Sequence, residues 1–444
     1  MGVKTENKMA YEPVNKLIIQ MSAPPLISMF FQYSYNLVDS MFVAGINEQA
    51  LAAVSLAFPI TTLMNALSVW IGVGVNVLIA GYLGQKNQQK ANSAAALGVV
   101  ISVVVGVLIN FLSLFIIINP YYSAFTQNKE IFEYGIAYMS VCVFMQIPNM
   151  VHIVIQKILQ ATGNMIAPMW FQIAGVVFNF VFDPLLIFGI GPFPKMGVVG
   201  AAVATVLGYV VSTIIALIQL FLTKQKVKPV FKNCLEPQMI KLIFSYGLPS
   251  FVMNALGAFT VNFANMFLVR YSDTAVAFFG AYFKVQQLIF MTVNGLIQGC
   301  LPIMRFNYRA KEYGRLKQAN KSGTIIATVM MIVGMLLVLI FPKEILFLFS
   351  ASEEMCAFGV PAMRIMSLGF VFSGFSAMIA TYEQATDSIM PGVVVQLLRQ
   401  GVLLVPVIWL LNSAVQMTGI WLAFPITEFV TFLVAVVFAK IKNH

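Results

Sequence analysis

Residues 49–85 contain no Asp, Glu, Lys or Arg, and neither do residues 91–128. Further charge-free runs cover residues 17–38, 158–182, 196–223, 242–269, 322–342 and 400–427. A helix crosses the hydrocarbon layer of a bilayer with about 20 predominantly apolar residues. A barrel strand would instead show as an alternating segment of about 10 residues, and the runs here are continuous. Of the 444 residues, 60% are hydrophobic and 9% charged, against roughly 25% charged in soluble domains. So few charges cannot clothe a water-facing surface. The sequence therefore predicts an all-α polytopic membrane protein.

Turn signals divide the runs into twelve expected transmembrane helices, near 17–44, 50–83, 92–118, 131–157, 165–189, 197–223, 241–270, 275–305, 318–341, 355–383, 390–411 and 418–440. The net charge of +10 invites a nucleic-acid reading, but the positive residues cluster in loops between apolar runs. Counted over short loops, Lys and Arg mark the cytoplasmic side. One side collects eighteen of them, from Lys4, Lys8 and Lys16 through Lys224–Lys241 and Arg305–Lys321 to Lys440 and Lys442, and the other Lys129, Lys195 and Lys343. This places both termini in the cytoplasm of a multi-pass cell-membrane protein. Cys142, Cys234, Cys300 and Cys356 show neither metal spacing nor a disulfide framework. His152 and His444 do not make a metal site, and no cleavable signal precedes the first apolar run.

The two halves of the chain resemble each other. Gln160-Ala161-Thr162 recurs as Gln384-Ala385-Thr386, followed by Pro168 and Pro391. Met41-Phe42 recurs as Met266-Phe267, Ala50 and Ala52 as Ala275 and Ala277, and Gly197, Ala201 and Thr205 as Gly419, Ala423 and Thr427. A shared order and spacing indicate an internal duplication. Six helices per half is even, so both halves enter from the same face. The expected architecture is two pseudo-symmetric six-helix bundles, residues 1–223 and 242–444, joined by a cytoplasmic linker at 224–241. Two such bundles suit alternating access.

Asp39 and Asp183 interrupt otherwise apolar helices. An ionisable residue at such depth costs about 2.5–3.5 kcal/mol on insertion scales and is functional by default. Each lies six residues before a glycine, Gly45 or Gly189, so both sit roughly 9 Å inside the same end of the bundle. Their repeat partners near Ala264 and Val405 are not acids. Asn36 and Asn179 lie one turn away, and Tyr138 and Thr205 reach a similar depth. Such a pocket can hold a proton, or Na⁺ through oxygen ligands. Gln32, Tyr35 and Gln172 continue the polar faces, as lining of a substrate cavity. Pro184 removes a backbone donor beside Asp183, and Pro24 and Pro25 weaken helix 1; all three are candidate gating points.

In the second half, Lys284, Arg364 and Glu428 share a depth and read as a charge-neutralising structural network. Arg399 lies about nine residues into helix 11. Glu383 and Asp387 fall at the end of helix 10 and read as solvated. Met253, Asn254 and Met291 are further cavity candidates, methionine being an adaptable lining.

These features together resemble the multidrug and toxic compound extrusion (MATE) family. The resembling stretches are YNLVDSMFVAG at 35–45, ALAAVSLAFP at 50–59, ILQATGNMIAPM at 158–169, FNFVFDPLLIFG at 178–189, GVVGAAVAT at 197–205 and NGLIQGCLPIMRFNY at 294–308. The resemblance implies a secondary active exporter of cationic amphipathic compounds, exchanging them for H⁺ or Na⁺. It implies that Asp39, Asn179 and Asp183, with Tyr138 and Thr205, form the cation-coupling site. Helix 7 has no acid where another branch of the family has one. The expected partners are small organic cations and the lipid bilayer, for a monomer with no cofactor and no obligate protein partner. A flippase or exporter of a lipid-linked saccharide is the related alternative; acidic central charges favour a cationic cargo over it. A membrane-embedded transferase would need clustered catalytic residues that His152 alone does not supply.

Overall fold

The computed structural model describes residues 7–232, 234–349 and 351–442; Lys4 and His444 lie outside the described residues. Among the described residues there are long helices and no strands, as a solvent without water demands, because only a helix or a closed barrel satisfies its own backbone. We number the long helices α1 (Val14–Ala44), α2 (Glu48–Gly84), α3 (Gln88–Phe125), α4 (Lys129–Ala161), α5 (Ile166–Phe188), α6 (Val198–Leu222), α7 (Pro237–Leu268), α8 (Asp273–Arg309), α9 (Tyr313–Ile340) and α10 (Glu353–Ala385). A last apolar stretch, Ile389–Lys440, breaks at Val415 and Gln416. It supplies α11 before the break and α12 after it, so the described chain has the expected twelve. Several helices run a turn further than their apolar cores, because polar residues begin them. Asn47, Asn87, Asn128, Ser272 and Ser352 each accept a hydrogen bond from a backbone N–H of the turn that follows, satisfying donors that an uncapped helix leaves open.

The duplication is written in the backbone. Lys86 and Lys311 take φ of 59° and 62°, and Gly163 and Asp387 take 87° and 65°; each pair occupies equivalent turns of the two halves. Gly197, before α6, has φ 57° and ψ −131°, and Gln416, before α12, has φ 54° and ψ −141°. That region is essentially glycine's own. By backbone the counterpart of Gly197 is Gln416 and not Gly419, which matches Gly200, so the second half holds a glutamine in a conformation for which the first half uses glycine.

The chain forms two compact units, and each is described by itself. Unit 1 comprises Ala23–Phe251 with the stretch before Tyr11; unit 2 comprises Tyr11–Ser22 with Val252 onward. The divisions thus fall inside α1, next to Pro24 and Pro25, and inside α7, just after Pro249. In unit 1 the first part of α7 lies on α2. A Cβ added at Gly74 would overlap the Ile243 carbonyl, and one at Gly247 would overlap the Trp70 carbonyl. Trp70 also donates to Phe244 O at 2.6 Å and stacks on Phe251 at 4.4 Å. In unit 2 the first part of α1 lies on α8 in the same way, with Gly299 against the Met21–Ser22 backbone. Small residues let helix backbones approach where lipid supplies no hydrophobic drive between helices. Each half thus lends the opening segment of its first helix to the other unit.

Two outcomes are expected. Gly74→Val and Gly299→Val should each destabilise by about 1–3 kcal/mol or more, since the added atoms meet backbone, whereas Gly280→Ala, which faces open space, should leave thermal stability in detergent unchanged. Gln416→Gly should raise the unfolding temperature by relieving about 1–3 kcal/mol of strain; an unchanged or lower value would show that the conformation carries no strain.

Candidate cation-coupling site

Glycines set the geometry of the acid cluster in unit 1. A Cβ at Gly175 of α5 would overlap the Ser212 hydroxyl of α6, and one at Gly208 of α6 would come within 3.3 Å of the Asn179 side chain. This close packing buries the α5 face carrying Asn179 and Asp183, which are 5% and 0% exposed. Pro184 sits within unbroken α5. On α1, Tyr35 and Asp39 are one turn apart. The Tyr35 hydroxyl donates to Asp183 Oδ2 at 3.0 Å and lies beside Thr205 and Asp39. The Asp39 and Asp183 carboxyls are close neighbours that interact electrostatically. Tyr138 lies beside Asp39 and Cys142, in an apolar cluster that includes Val43, Met139, Ile187 and Ala201.

The chemistry of this arrangement is restricted. Two neighbouring buried carboxyls call for a proton or a cation, since both ionised would repel at short range in a medium that screens poorly. Asp39 Oδ1, Asp183 Oδ1 and Asn179 Oδ1 are buried and have no hydrogen-bond partner among the described residues. Oxygens of this kind suit a proton, or a hard cation such as Na⁺. Among the described residues no group of three or more His, Cys, Asp and Glu is placed to hold a metal.

The structure brings Asp39, Asp183, Asn179, Tyr138 and Thr205 together. It corrects the neighbours of the set. Tyr35, expected in a substrate cavity, is 9% exposed and joins the acids, whereas Asn36 on the adjacent face of α1 is exposed. Both residues precede Asp39 by about one turn, and only the burial of one face distinguishes them. Gln172 points to α4, where its amide donates to Gln156 Oε1 at 3.1 Å. Gln32 is exposed on α1. Met253, Asn254 and Met291 belong to unit 2, with Met291 buried and the other two half-buried.

The charge network of unit 2 differs from the expected one. Glu428 pairs with Arg399, Nε to Oε1 at 2.8 Å, and Arg399 also donates to Ser373 Oγ at 2.6 Å and lies 4.9 Å over the Phe290 ring. Lys284 and Arg364 are exposed, and Arg364 donates to Leu339 O. A wide π-turn over Leu398–Val402 turns Arg399 inward, which depth along a regular helix does not reveal. Glu383 is 1% exposed, not solvated. Arg305 is 1% exposed and forms an ion pair with Asp387 at 2.7 Å; the same acid meets Arg309 at 3.1 Å.

Removing one member of the Arg399–Glu428 pair should therefore be costly. Arg399→Met alone should destabilise unit 2 by about 3–5 kcal/mol, because a buried charge loses its partner, and Arg399→Met with Glu428→Gln should recover most of that loss in a thermal-unfolding measurement. Equal losses in the single and double variants would show that the pair acts only through packing.

Comparison with known proteins bears on the whole chain. The MatE family model matches twice, over residues 24–185 and 249–410. Multidrug export protein MepA of Staphylococcus aureus (strain MSSA476) is 24% identical over 416 residues, covering 92% of this chain and 89% of that protein. The protein of the same name from Staphylococcus haemolyticus is 25% identical over 433 residues, covering 97% and 94%. Among solved structures, an outward-facing multidrug resistance MATE family transporter superposes with a TM-score of 0.93 at 23% identity, covering 100% of this chain and 98% of that one. A MATE structure in a bent conformation gives 0.92, also at 23% identity, covering 99% and 98%. The twelve helices, the duplicated backbone and the double family match lead to one conclusion: this chain belongs to the MatE family, whose members are multidrug efflux transporters and not enzymes.

Proposed function

We propose that the protein exports cationic amphipathic compounds across the cell membrane by alternating access, in exchange for H⁺ or Na⁺ bound at Asp39 and Asp183. The observation that carries this reading is the closeness of the two carboxyls in unit 1, one of them bonded by Tyr35, among buried acceptor oxygens that lack donors. The names of the staphylococcal relatives support export of drugs, and the buried acid pair of the first half supports a cationic cargo. Both termini lie in the cytoplasm on the loop-charge bias, and the functional unit is a single chain. Cargo and ion need not share atoms; each need only favour a different conformation.

Efflux of a fluorescent organic cation from proteoliposomes, with proton and sodium gradients imposed separately, tests the reading. Asp39→Asn and Asp183→Asn should each cut gradient-driven efflux by about 10²-fold or more in a protein that still folds. The double variant should be no worse than either single one, because the two carboxyls act as a unit. Normal exchange rates in purified single variants would refute the assignment.

A further inference from the structure

The acid pair lies toward one end of unit 1. Toward the other end, α4 turns an unusual stripe inward. Gln146, Asn149, His152, Gln156 and Gln160 are 0%, 1%, 4%, 5% and 1% exposed. Their spacing of three and four residues places them on one helical face, and in a buried face such positions are normally aliphatic. Ser68 and Asn76 of α2, 0% and 2% exposed, and Tyr209 of α6 face them. Gln146 donates to Met64 O at 2.9 Å and to Ser68 Oγ at 3.2 Å, and Asn149 donates to the same hydroxyl at 3.4 Å. Asn76 donates to Lys157 O at 2.9 Å. The His152 ring lies 5.5 Å from that of Tyr209.

These bonds occupy the amide donors of Gln146, Asn149 and Asn76 and leave their acceptors, whereas Gln156 Oε1 accepts from Gln172 and Gln160 Oε1 from the buried Lys157 Nζ at 2.9 Å. Gln146 Oε1, Asn149 Oδ1 and Asn76 Oδ1 are buried acceptors with no hydrogen-bond partner among the described residues, and the buried His152 ring lies beside the Pro148 and Asn149 carbonyls. The oxygens of Asn179, Asp39 and Asp183 at the head of the unit are in the same condition. A buried acceptor without a donor costs about 1–3 kcal/mol, and a row of them fits a guest that brings protons, such as a file of water carrying a proton. The row joins the acids through Cys142, one turn before Gln146, which contacts Tyr138 and lies near both Asp39 and Tyr209.

We propose that this stripe of α4 lines a hydrated path for the coupling proton inside unit 1, from the Asp39–Asp183 pair to the Gln160 end, with His152 as its relay residue. The proposal rests on the coupling-site reading above and names the ion as H⁺. At His152 a proton binds one ring nitrogen and another leaves the second, so the imidazole is neutral before and after each passage. Exchange of the ring hydrogen between the two nitrogens resets it.

The test uses full-length protein in proteoliposomes with ethidium as cargo, a trapped pH dye and an imposed pH gradient. Two rates are measured: ethidium-coupled proton flux, and ethidium–ethidium exchange without a gradient, which needs no net proton movement. His152→Leu and Asn149→Leu should slow the flux about tenfold while exchange keeps its native rate. In the unmodified protein, heavy water should slow the flux and not the exchange. A variant that no longer binds ethidium is set aside, and the other variant and the heavy-water comparison decide. Flux and exchange falling together, or flux unchanged, would overturn the path. Asp39→Asn separates the two readings. If it abolishes flux while the stripe variants do not, the path alone falls; if it leaves flux intact, the coupling site falls as well. Native protein driven by Na⁺ alone removes the path and leaves the acid pair standing.

Discussion

A bilayer core offers no water to a backbone amide, and every level of this structure answers that deficit. It makes the spans helical and puts Asn or Ser ahead of many of them. It makes glycine the residue of close helix contact, at Gly74, Gly175, Gly208 and Gly299. It also raises the stakes for each buried polar group, because an unmade hydrogen bond has no solvent to fall back on. The same deficit that builds the scaffold therefore singles out the few places where it is tolerated. In unit 1 they include the carboxyl pair and the amide-lined stripe of α4.

The two halves share a backbone and differ in chemistry. Equivalent turns take the same left-handed conformations, yet unit 1 holds two acids against each other and unit 2 holds an acid against an arginine. The first arrangement is incomplete without a proton or cation. The second is neutral as built. Duplication supplied two copies of one frame, and their side chains have divided the electrostatic roles.

Much of this was legible in the sequence. Charge-free runs gave the spans, and recurring Gln-Ala-Thr, Gly and Pro positions gave the duplication, because both depend on composition and order along one chain. Asp39 and Asp183 stood out since depth within a span is a one-dimensional quantity. Partners were harder. Tyr35 and Asn36 are equally near Asp39 in sequence, and packing of the α1 face chooses between them. Arg399 meets Glu428 from a different helix and through a π-turn that rotates it. Arg305 read as a loop charge until the turn after α10 brought Asp387 to it. The α4 stripe passed unremarked because Gln, Asn and His are uncharged and do not interrupt a hydropathy pattern.

The loan of opening segments between the halves has a consequence for how the chain is made. Domains generally fold as units during synthesis, the N-terminal one first. Here unit 1 lacks the segment that covers Gly74 until residues up to Phe251 have left the ribosome, well after its own last helix. Tyr11–Ser22, among the first residues synthesised, wait for Gly299 of α8. Neither half is complete as a translation product of its own stretch of message. The two must mature together, and the bilayer holds an unfinished first bundle until the second begins to arrive.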